Sequence, residues 1–317
     1  MITTEEDILR EYHGNKPFSL GGARRVYEAA PKIPRSRIDK ALQKSEIYTK
    51  YKQPKKQKFF SPIYVRGFRH IWQADLAVFR HKDLKAANYP FQYMLIVIDC
   101  WTRRIWLEPM VSKECEETIE KFDKVFKSVK VLPLMIQTDQ GGEFKCKLAD
   151  RYFDNKKIFT YWSRTKRKCA FVERVIQTIK NIFEKKMERN NNKQWVSLIP
   201  EVLDTYMNTK HTSIKMTPNE AEESKNQRKL HIIHNRKYKI AESKRQHPKF
   251  KEGDTVRLKK DTSVFKRSWH KKWSDTIFTI GKVLTRQVVP RYVLIDPRDN
   301  KAMSGHPVEA DLLRVRV

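Results

Sequence analysis

Hydrophobic residues recur along this chain with two different periods, and the changes of period divide it into elements. A continuous apolar, β-branched run at 91–99 predicts a buried strand, and 104–109 predicts a second strand that pairs with it as a hairpin. A short strand is predicted at 132–138, before the glycine turn DQGGEF. Helical spacing predicts amphipathic helices at 116–130, 171–189 and 195–209. Strands that alternate with helices indicate an α/β domain.

The two flanks of this α/β region follow other patterns. Residues 1–58 predict short helices, the last two separated by a proline-containing turn, followed by a basic linker. This outline favours a helix-turn-helix DNA-binding domain, with a small helical bundle of solvated charges as the alternative. After a second basic linker at 224–249, short strands between Gly, Pro, Asp and Asn residues at 250–317 predict a small β-barrel.

The charge of the chain indicates a polyanionic partner. Lys and Arg number 67 and Asp and Glu 37, a formal net charge of +30, while 39% hydrophobic residues are enough to build a folded core. The net charge is +9 over 1–70, +6 over 71–223 and +15 over 224–317. The flanks are therefore predicted to bind nucleic acid, and the centre to hold any chemistry of its own.

Membrane and secreted classes are not expected. No apolar run approaches the ~20 residues that a membrane span needs, and the first residues, MITTEEDILREYHG, are too acidic and polar for a signal peptide. The four cysteines lack CxxC spacing, which is typical of a reducing compartment. Basic runs at 50–58 and 234–251 favour a nuclear location if the partner is DNA.

Three acidic residues stand at the ends of predicted elements in this basic chain. Asp75 lies in the apolar stretch IWQADL, Asp139 follows the strand at 132–138, and Glu173 lies near the start of the helix at 171–189. Carboxylates that converge at one sheet edge repel each other unless a hard cation such as Mg²⁺ lies between them. Ordinary roles as turn residues or as a helix N-terminal acid are the alternative for each of them.

An ordered set of motifs resembles the catalytic core of retroviral-type integrases. These motifs are WQADL at 72–76, YMLIVIDCWTRRIWLEPM at 93–110, QTDQGGEF at 137–144, FVERVIQTIK at 171–180 and DTYMNTKHTSIKMTPNEA at 204–221. Within that superfamily the chain is most similar to integrases of Maverick/Polinton-type transposons. There, FKEGDTVRLKK followed by KKWSDTIFTIGKVL marks an SH3-like C-terminal barrel.

The resemblance implies an RNase H-like core at 65–223 and a catalytic, metal-binding DDE triad of Asp75, Asp139 and Glu173. It implies Mg²⁺- or Mn²⁺-dependent 3′-end processing and strand transfer, with transposon ends and target DNA as partners. It also implies a homo-oligomer, either a dimer or a tetramer. An N-terminal zinc module is not expected, because residues 1–70 contain two histidines and no cysteine.

One departure from the family pattern favours a second function. The family helix commonly has Asn three positions after the catalytic Glu, and this chain has Ile176 there. Because that Asn supports the site and its DNA contacts, a domesticated DNA-binding protein with weak or no catalysis is the alternative. A nuclease acting on RNA–DNA hybrids would share the metal chemistry, but it gives no reason for the two flanking modules.

Basic residues near these motifs are the candidates for DNA contact. The resemblance places Lys180 on the same helix face as Glu173, seven residues along, at a position that contacts the DNA end. Basic side chains in the loop before Glu173 and in the barrel are also predicted to contact DNA: Lys166, Arg167, Lys168, Lys271 and Lys272. Trp273 is expected to fill the barrel core.

Overall fold

The computed structural model describes residues 4–16, 19–79, 81–162, 169–260 and 270–316. The chain forms two compact units, one made of Met1–Pro62 with Ile240–Val317 and the other of Ile63–Lys239. Elements are numbered in chain order. The first unit begins with four helices: α1 Glu5–His13, α2 Ala23–Ala29, α3 Arg35–Leu42 and α4 Glu46–Tyr51.

A five-stranded mixed sheet is the centre of the second unit. Its strands are β1 Ile71–Val78, β2 Tyr93–Asp99, β3 Ile105–Met110, β4 Met135–Thr138 and β5 Phe159–Trp162. They lie in the order β3-β2-β1-β4-β5. Strand β2 is antiparallel to both β1 and β3, which confirms the predicted β2–β3 hairpin, and β4 is parallel to both β1 and β5.

Helices cover both faces of this sheet. They are α5 Lys82–Ala87, α6 Cys115–Lys127, α7 Lys147–Asn155, α8 Ala170–Arg189, α9 Ile199–Met207, α10 Pro218–Glu222 and α11 Gln227–Glu242. The α/β prediction is therefore confirmed. In the part of the chain that is described, no helix is long and apolar enough to cross a membrane.

Side-chain alternation along the strands decides which face each residue occupies. Leu95 and Val97 of β2 pack with α6 and α7 on one face, whereas Met94 and Ile96 pack with α8 and α9 on the other. Trp72 of β1 belongs to the α6 side. Because both faces are covered, the strands are apolar almost throughout, as the continuous run at 91–99 indicates.

Three parts of this unit were not evident from sequence periodicity. Helix α7 and strand β5 follow directly after the turn DQGGEF, and no strong period marks them. Helix α11 occupies the segment predicted as a basic linker, because Leu230 and His234, four residues apart, are buried on one helix face. A disulfide joins Cys115 to Cys146 across 31 positions, at the starts of α6 and α7.

The remainder of the first unit is a four-stranded antiparallel sheet. It consists of β6 Thr255–Lys259, β7 Trp273–Leu284, β8 Arg291–Ile295 and β9 Leu312–Arg314, in the order β8-β7-β6-β9. Strand β7 has a bulge at Gly281, where a Cβ atom would lie 2.7 Å from the Ile295 side chain, so only glycine fits without a shift. Trp273 is 2% exposed, as expected of a core residue.

Helix α4 packs against this sheet within the first unit. Arg257 of β6, 2% exposed, donates to Thr49 Oγ1 at 3.1 Å and to the carbonyls of Ser274 and Asp275 at 2.7 Å each. Trp273 Nε1 donates to the carbonyl of Lys52 at 2.6 Å. The N-terminal helices and the C-terminal strands thus share buried polar contacts.

Candidate active site

Strand register brings Asp75 and Asp139 to the same edge of the sheet. In the parallel β1–β4 pair, Gln73 is the partner of Gln137. Asp75 lies two residues after Gln73, and Asp139 lies two residues after Gln137. The two carboxylates therefore follow paired residues by the same distance and lie at the same end of the two strands. Trp72 lies on the α6 side of the sheet, and Asp75 is an odd number of residues further along the strand. Its side chain therefore lies on the opposite face, which α8 covers.

Helix α8 brings the third carboxylate to this edge. Its apolar residues Val172, Val175 and Ile179 are buried against the sheet, and its first-turn amides bond to the side chain of Gln73 on β1. Glu173 follows Val172 directly, lies in the first turn and is exposed. The three carboxylates predicted from the sequence thus belong to β1, the end of β4 and the start of α8, which are neighbouring elements.

The electrostatics of Asp75 show that these acids interact. Burial, and then the negative charges of Asp139, Glu173 and Glu143, raise the pKa of Asp75 to about 6, against a hydrogen bond from the Leu76 amide that lowers it. That amide donates to Asp75 Oδ1 at 2.7 Å. A carboxyl pKa raised by burial together with like charges is typical of functional carboxylate groups, although structural groups also show it.

Glu143, in the turn DQGGEF, is a fourth carboxylate whose charge acts on Asp75. It lies four residues after Asp139, and its carboxylate carbon is 2.6 Å from where a Cβ of Gly141 would be. A side chain at position 141 would displace it. The Gly141 amide also donates to Asp139 Oδ1 at 2.8 Å, which fixes the turn after β4.

The donor set fits a hard divalent cation in its chemistry. All of the side chains concerned offer carboxylate oxygens, the ligands that Mg²⁺ and Mn²⁺ prefer, and their mutual repulsion is what a cation would relieve. Among the residues described, no three His, Cys, Asp or Glu side chains are grouped closely enough to hold a metal ion. The three acids are therefore neighbours without forming a closed cage.

Removing one charge from this group is expected to stabilise the metal-free protein. Since the pKa of Asp75 is higher in the folded state, its contribution to the free energy of unfolding falls as pH rises from about 4 to about 6, and stays low above that. At about 1.4 kcal/mol per pKa unit, Asp75→Asn should be roughly 3 kcal/mol more stable than wild type at pH 8. Urea denaturation in EDTA at pH 8 and pH 4 measures this.

The pH dependence of this variant tests whether the ionised form of Asp75 is the source of the effect. The stabilisation by Asp75→Asn should disappear at pH 4, and Mg²⁺ should raise the melting temperature of wild type but not of the variant. Equal stability of the two proteins at pH 8 would show that Asp75 carries no such strain.

The predicted DNA-contact residues have different surroundings. Lys180 is partly buried and its Nζ lies 5.6 Å from the ring centroid of Phe79. Lys271 pairs with Asp275 at 2.7 Å, with 40% of its side chain exposed, and Lys272 is 9% exposed while its amide donates to the carbonyl of Lys50. The structure thus places Lys271 and Lys272 beside α4. Lys166, Arg167 and Lys168 lie outside the described residues.

Ile176 and Asp99 both have structural roles in the second unit, and Asp99 pairs with Trp72 at the start of β1. Ile176, at the position of the family's Asn, packs against the apolar cluster of α8 and α9. Asp99, at the end of β2, is 1% exposed and accepts hydrogen bonds from Trp72 Nε1 and from the amides of Trp101 and Thr102. Its burial raises its pKa to about 6. A lone acid at a strand end gave no signal for this structural role.

Comparisons with known proteins agree on the fold. An uncharacterized transposon-derived protein of Caenorhabditis elegans is 24% identical over 201 residues, 63% of this chain and 66% of that protein. The simian T-cell lymphotropic virus intasome, solved in complex with the PP2A regulatory subunit B56 gamma, matches 93% of this chain and 95% of its own at 13% identity, with a TM-score of 0.65. No protein-family model matches the chain.

The chain is also similar, over about half of its length, to a structure of a single domain. The HTLV-2 integrase catalytic core domain, solved in complex with magnesium, is 20% identical and covers 49% of this chain and 97% of its own, with a TM-score of 0.42. The five-stranded mixed sheet and its helices match the RNase H-like core that the sequence motifs predicted. The chain therefore has the fold of a retroviral-type integrase.

Proposed function

We propose that this chain is a transposon-derived integrase that trims the 3′ ends of element DNA and joins them to target DNA. The observation that supports this most directly is the meeting of Asp75, Asp139 and Glu173 at one sheet edge of an integrase fold. The charge that these acids impose on one another gives the site a need for a cation that a purely structural edge would lack.

The chain's own residues divide the work at this edge. Asp75, Asp139 and Glu173 would hold Mg²⁺ or Mn²⁺, which when bound supplies the charge that activates water or a 3′-hydroxyl and stabilises the leaving 3′-oxygen. The Gly141 amide orients the Asp139 carboxylate, and the Leu76 amide orients that of Asp75. Placement of these carboxylates by backbone donors keeps them directed to the same edge before any substrate arrives.

DNA is proposed to be held by basic surfaces outside the carboxylate edge. The first unit contributes exposed Arg35 and Arg37 on α3, the second helix of the predicted helix-turn-helix, and the second contributes Lys180 of α8. Lys166, Arg167 and Lys168, which precede α8 in the sequence, complete this set. The flanks carry most of the net charge, which fits a role in neutralising DNA phosphates. We place the working protein in the nucleus as a homo-oligomer on its DNA.

An assay with labelled oligonucleotides tests the proposal. Duplexes that mimic element ends are incubated with a second duplex, with and without Mg²⁺, and an RNA–DNA hybrid is treated in parallel. Joining of the end to the second duplex only with Mg²⁺ is the expected result. Cleavage of the hybrid alone would indicate a nuclease. Salt-sensitive binding without either reaction would indicate a domesticated DNA-binding protein.

A further inference from the structure

A buried glutamine lies among the elements that carry the three acids. Gln73 is 0% exposed, in the middle of β1, two residues before Asp75. Strand alternation places it on the same face as Asp75, the face covered by α8. An amide with no exposure must satisfy both its donor and its acceptor inside the protein, or its burial costs free energy.

The hydrogen bonds of this side chain join three elements. Gln73 Oε1 accepts from the amides of Phe171 at 2.9 Å and Val172 at 3.2 Å, and its Nε2 donates to Gln137 Oε1 at 2.9 Å. The first amides of a helix have no partner within the helix. Gln73 therefore caps α8 from the adjacent strand. The Cys169 thiol adds a contact to the carbonyl of Gln137 at 3.6 Å.

Each of these contacts is next to one of the acids. Asp75 is two residues after Gln73, Asp139 is two residues after Gln137, and Glu173 directly follows Val172. Since the amide is rigid and planar, its three hydrogen bonds fix the start of α8 against β1 and the end of β4. A shift of α8 along its axis would break two of them at once.

We propose that Gln73 is the positioning residue that sets Glu173 against Asp75 and Asp139. This inference rests on the proposed function, because it concerns the same carboxylates. Gln73 acts through the backbone of α8 and does not touch substrate. An amide suits the position, since a carboxylate there would add a further negative charge beside Asp75, and an apolar side chain would leave the amides of Phe171 and Val172 without this acceptor.

A matched control separates positioning from general stability. Asn88 is another buried amide of the same unit, 5% exposed, whose Nδ2 donates to the carbonyls of Leu84 at 2.8 Å and Lys193 at 2.7 Å, and whose Oδ1 accepts from the Val196 amide at 3.1 Å. It makes three hydrogen bonds, as Gln73 does, but none of the segments that it joins carries a member of the triad. Gln73→Met and Asn88→Leu should therefore lower the melting temperature to a similar extent.

Activity and metal response distinguish the two variants. Full-length Gln73→Met should join DNA ends about 10²-fold more slowly, with unchanged DNA affinity and a higher Mg²⁺ concentration for half-maximal rate, because Glu173 is no longer held in place. Asn88→Leu should keep the wild-type Mg²⁺ dependence. If Gln73→Met does not fold, Gln137→Met is the second variant. It removes the acceptor of the Gln73 Nε2 bond and should slow joining about 10-fold, with the same rise in the Mg²⁺ concentration for half-maximal rate. A wild-type Mg²⁺ dependence in the folded Gln73 variant overturns the proposal.

A second readout keeps this inference separate from the proposed function. The rise in melting temperature caused by Mg²⁺ is measured without DNA for wild type, Gln73→Met and Asn88→Leu. If wild type shows the rise but joins no DNA, the proposed function fails, and loss of the rise in Gln73→Met alone still supports positioning. If Mg²⁺ does not stabilise wild type, the carboxylates do not act together and the positioning role is overturned.

Discussion

Asp139→Asn is expected to abolish strand transfer while leaving DNA binding intact. Asn is nearly isosteric, and its side-chain oxygen can still accept from the Gly141 amide, so the turn after β4 should keep its shape. The variant lacks the charge that the site needs to bind a cation between Asp75 and Asp139. Loss of several kcal/mol of transition-state stabilisation corresponds to a rate at least about 10³-fold lower. Rates from the oligonucleotide joining assay measure this.

DNA affinity should not follow the loss of activity. Because we propose that the basic flanks and Lys180 make the phosphate contacts, the binding constant and its salt dependence should equal those of wild type. Asp154→Asn is the matched control, because Asp154 is an exposed acid near the end of α7. It should join DNA at the wild-type rate. Joining by Asp139→Asn at a rate near that of the control would remove Asp139 from the site.

Arg257→Ala is expected to destabilise the first unit by about 3 kcal/mol. The guanidinium is 2% exposed and donates to Thr49 and to two carbonyls of β7, so its removal leaves buried acceptors without these donors and opens a cavity. Hydrogen exchange measured by mass spectrometry should show faster exchange in peptides covering α4 and β6. Peptides from β2 in the second unit are the internal reference.

A surface lysine close by is the control for this effect. Lys260 pairs with Asp275 at 2.7 Å, but 39% of its side chain is exposed. Because exposed ion pairs contribute about 0.5 kcal/mol, Lys260→Ala should change the exchange of α4 very little. If the α4 amides exchange at the same rate in both variants, the hydrogen bonds of Arg257 do not stabilise the packing of α4 on the strands.

The sequence predicted the core elements well where burial imposes a regular pattern. Strands β2 and β3 are apolar because helices cover both faces of the sheet, and the helix predicted at 171–189 corresponds to α8, Ala170–Arg189. Elements with mixed composition were not predicted. Strand β5 exposes Phe159 and Tyr161, so its hydrophobic pattern does not distinguish it from a loop. The burial of one face of α11 depends on contacts with residues more than a hundred positions away.

The sequence suggested the acidic residues of the candidate site, but it did not suggest the residue that we propose holds them in position. Asp75, Asp139 and Glu173 were found because carboxylates at element ends stand out in a basic chain and match the order of integrase motifs. Gln73 had no such signal, since a single glutamine in a strand could face water as readily as a helix terminus. Its role appears only where β1, β4 and α8 meet.

The sequence by itself determined the basic charge, its concentration in the flanks, and the ordered acids of an integrase-type core. The charge is a property of composition, whereas the acids were identified through the resemblance of their motifs to those of integrases. The tertiary structure alone decided that Gln73 caps α8, that Glu143 lies over Gly141 and that Arg257 contacts Thr49. Each of these depends on strand register or on helix docking, which bring together residues that are distant in the chain, and no local pattern contains that information.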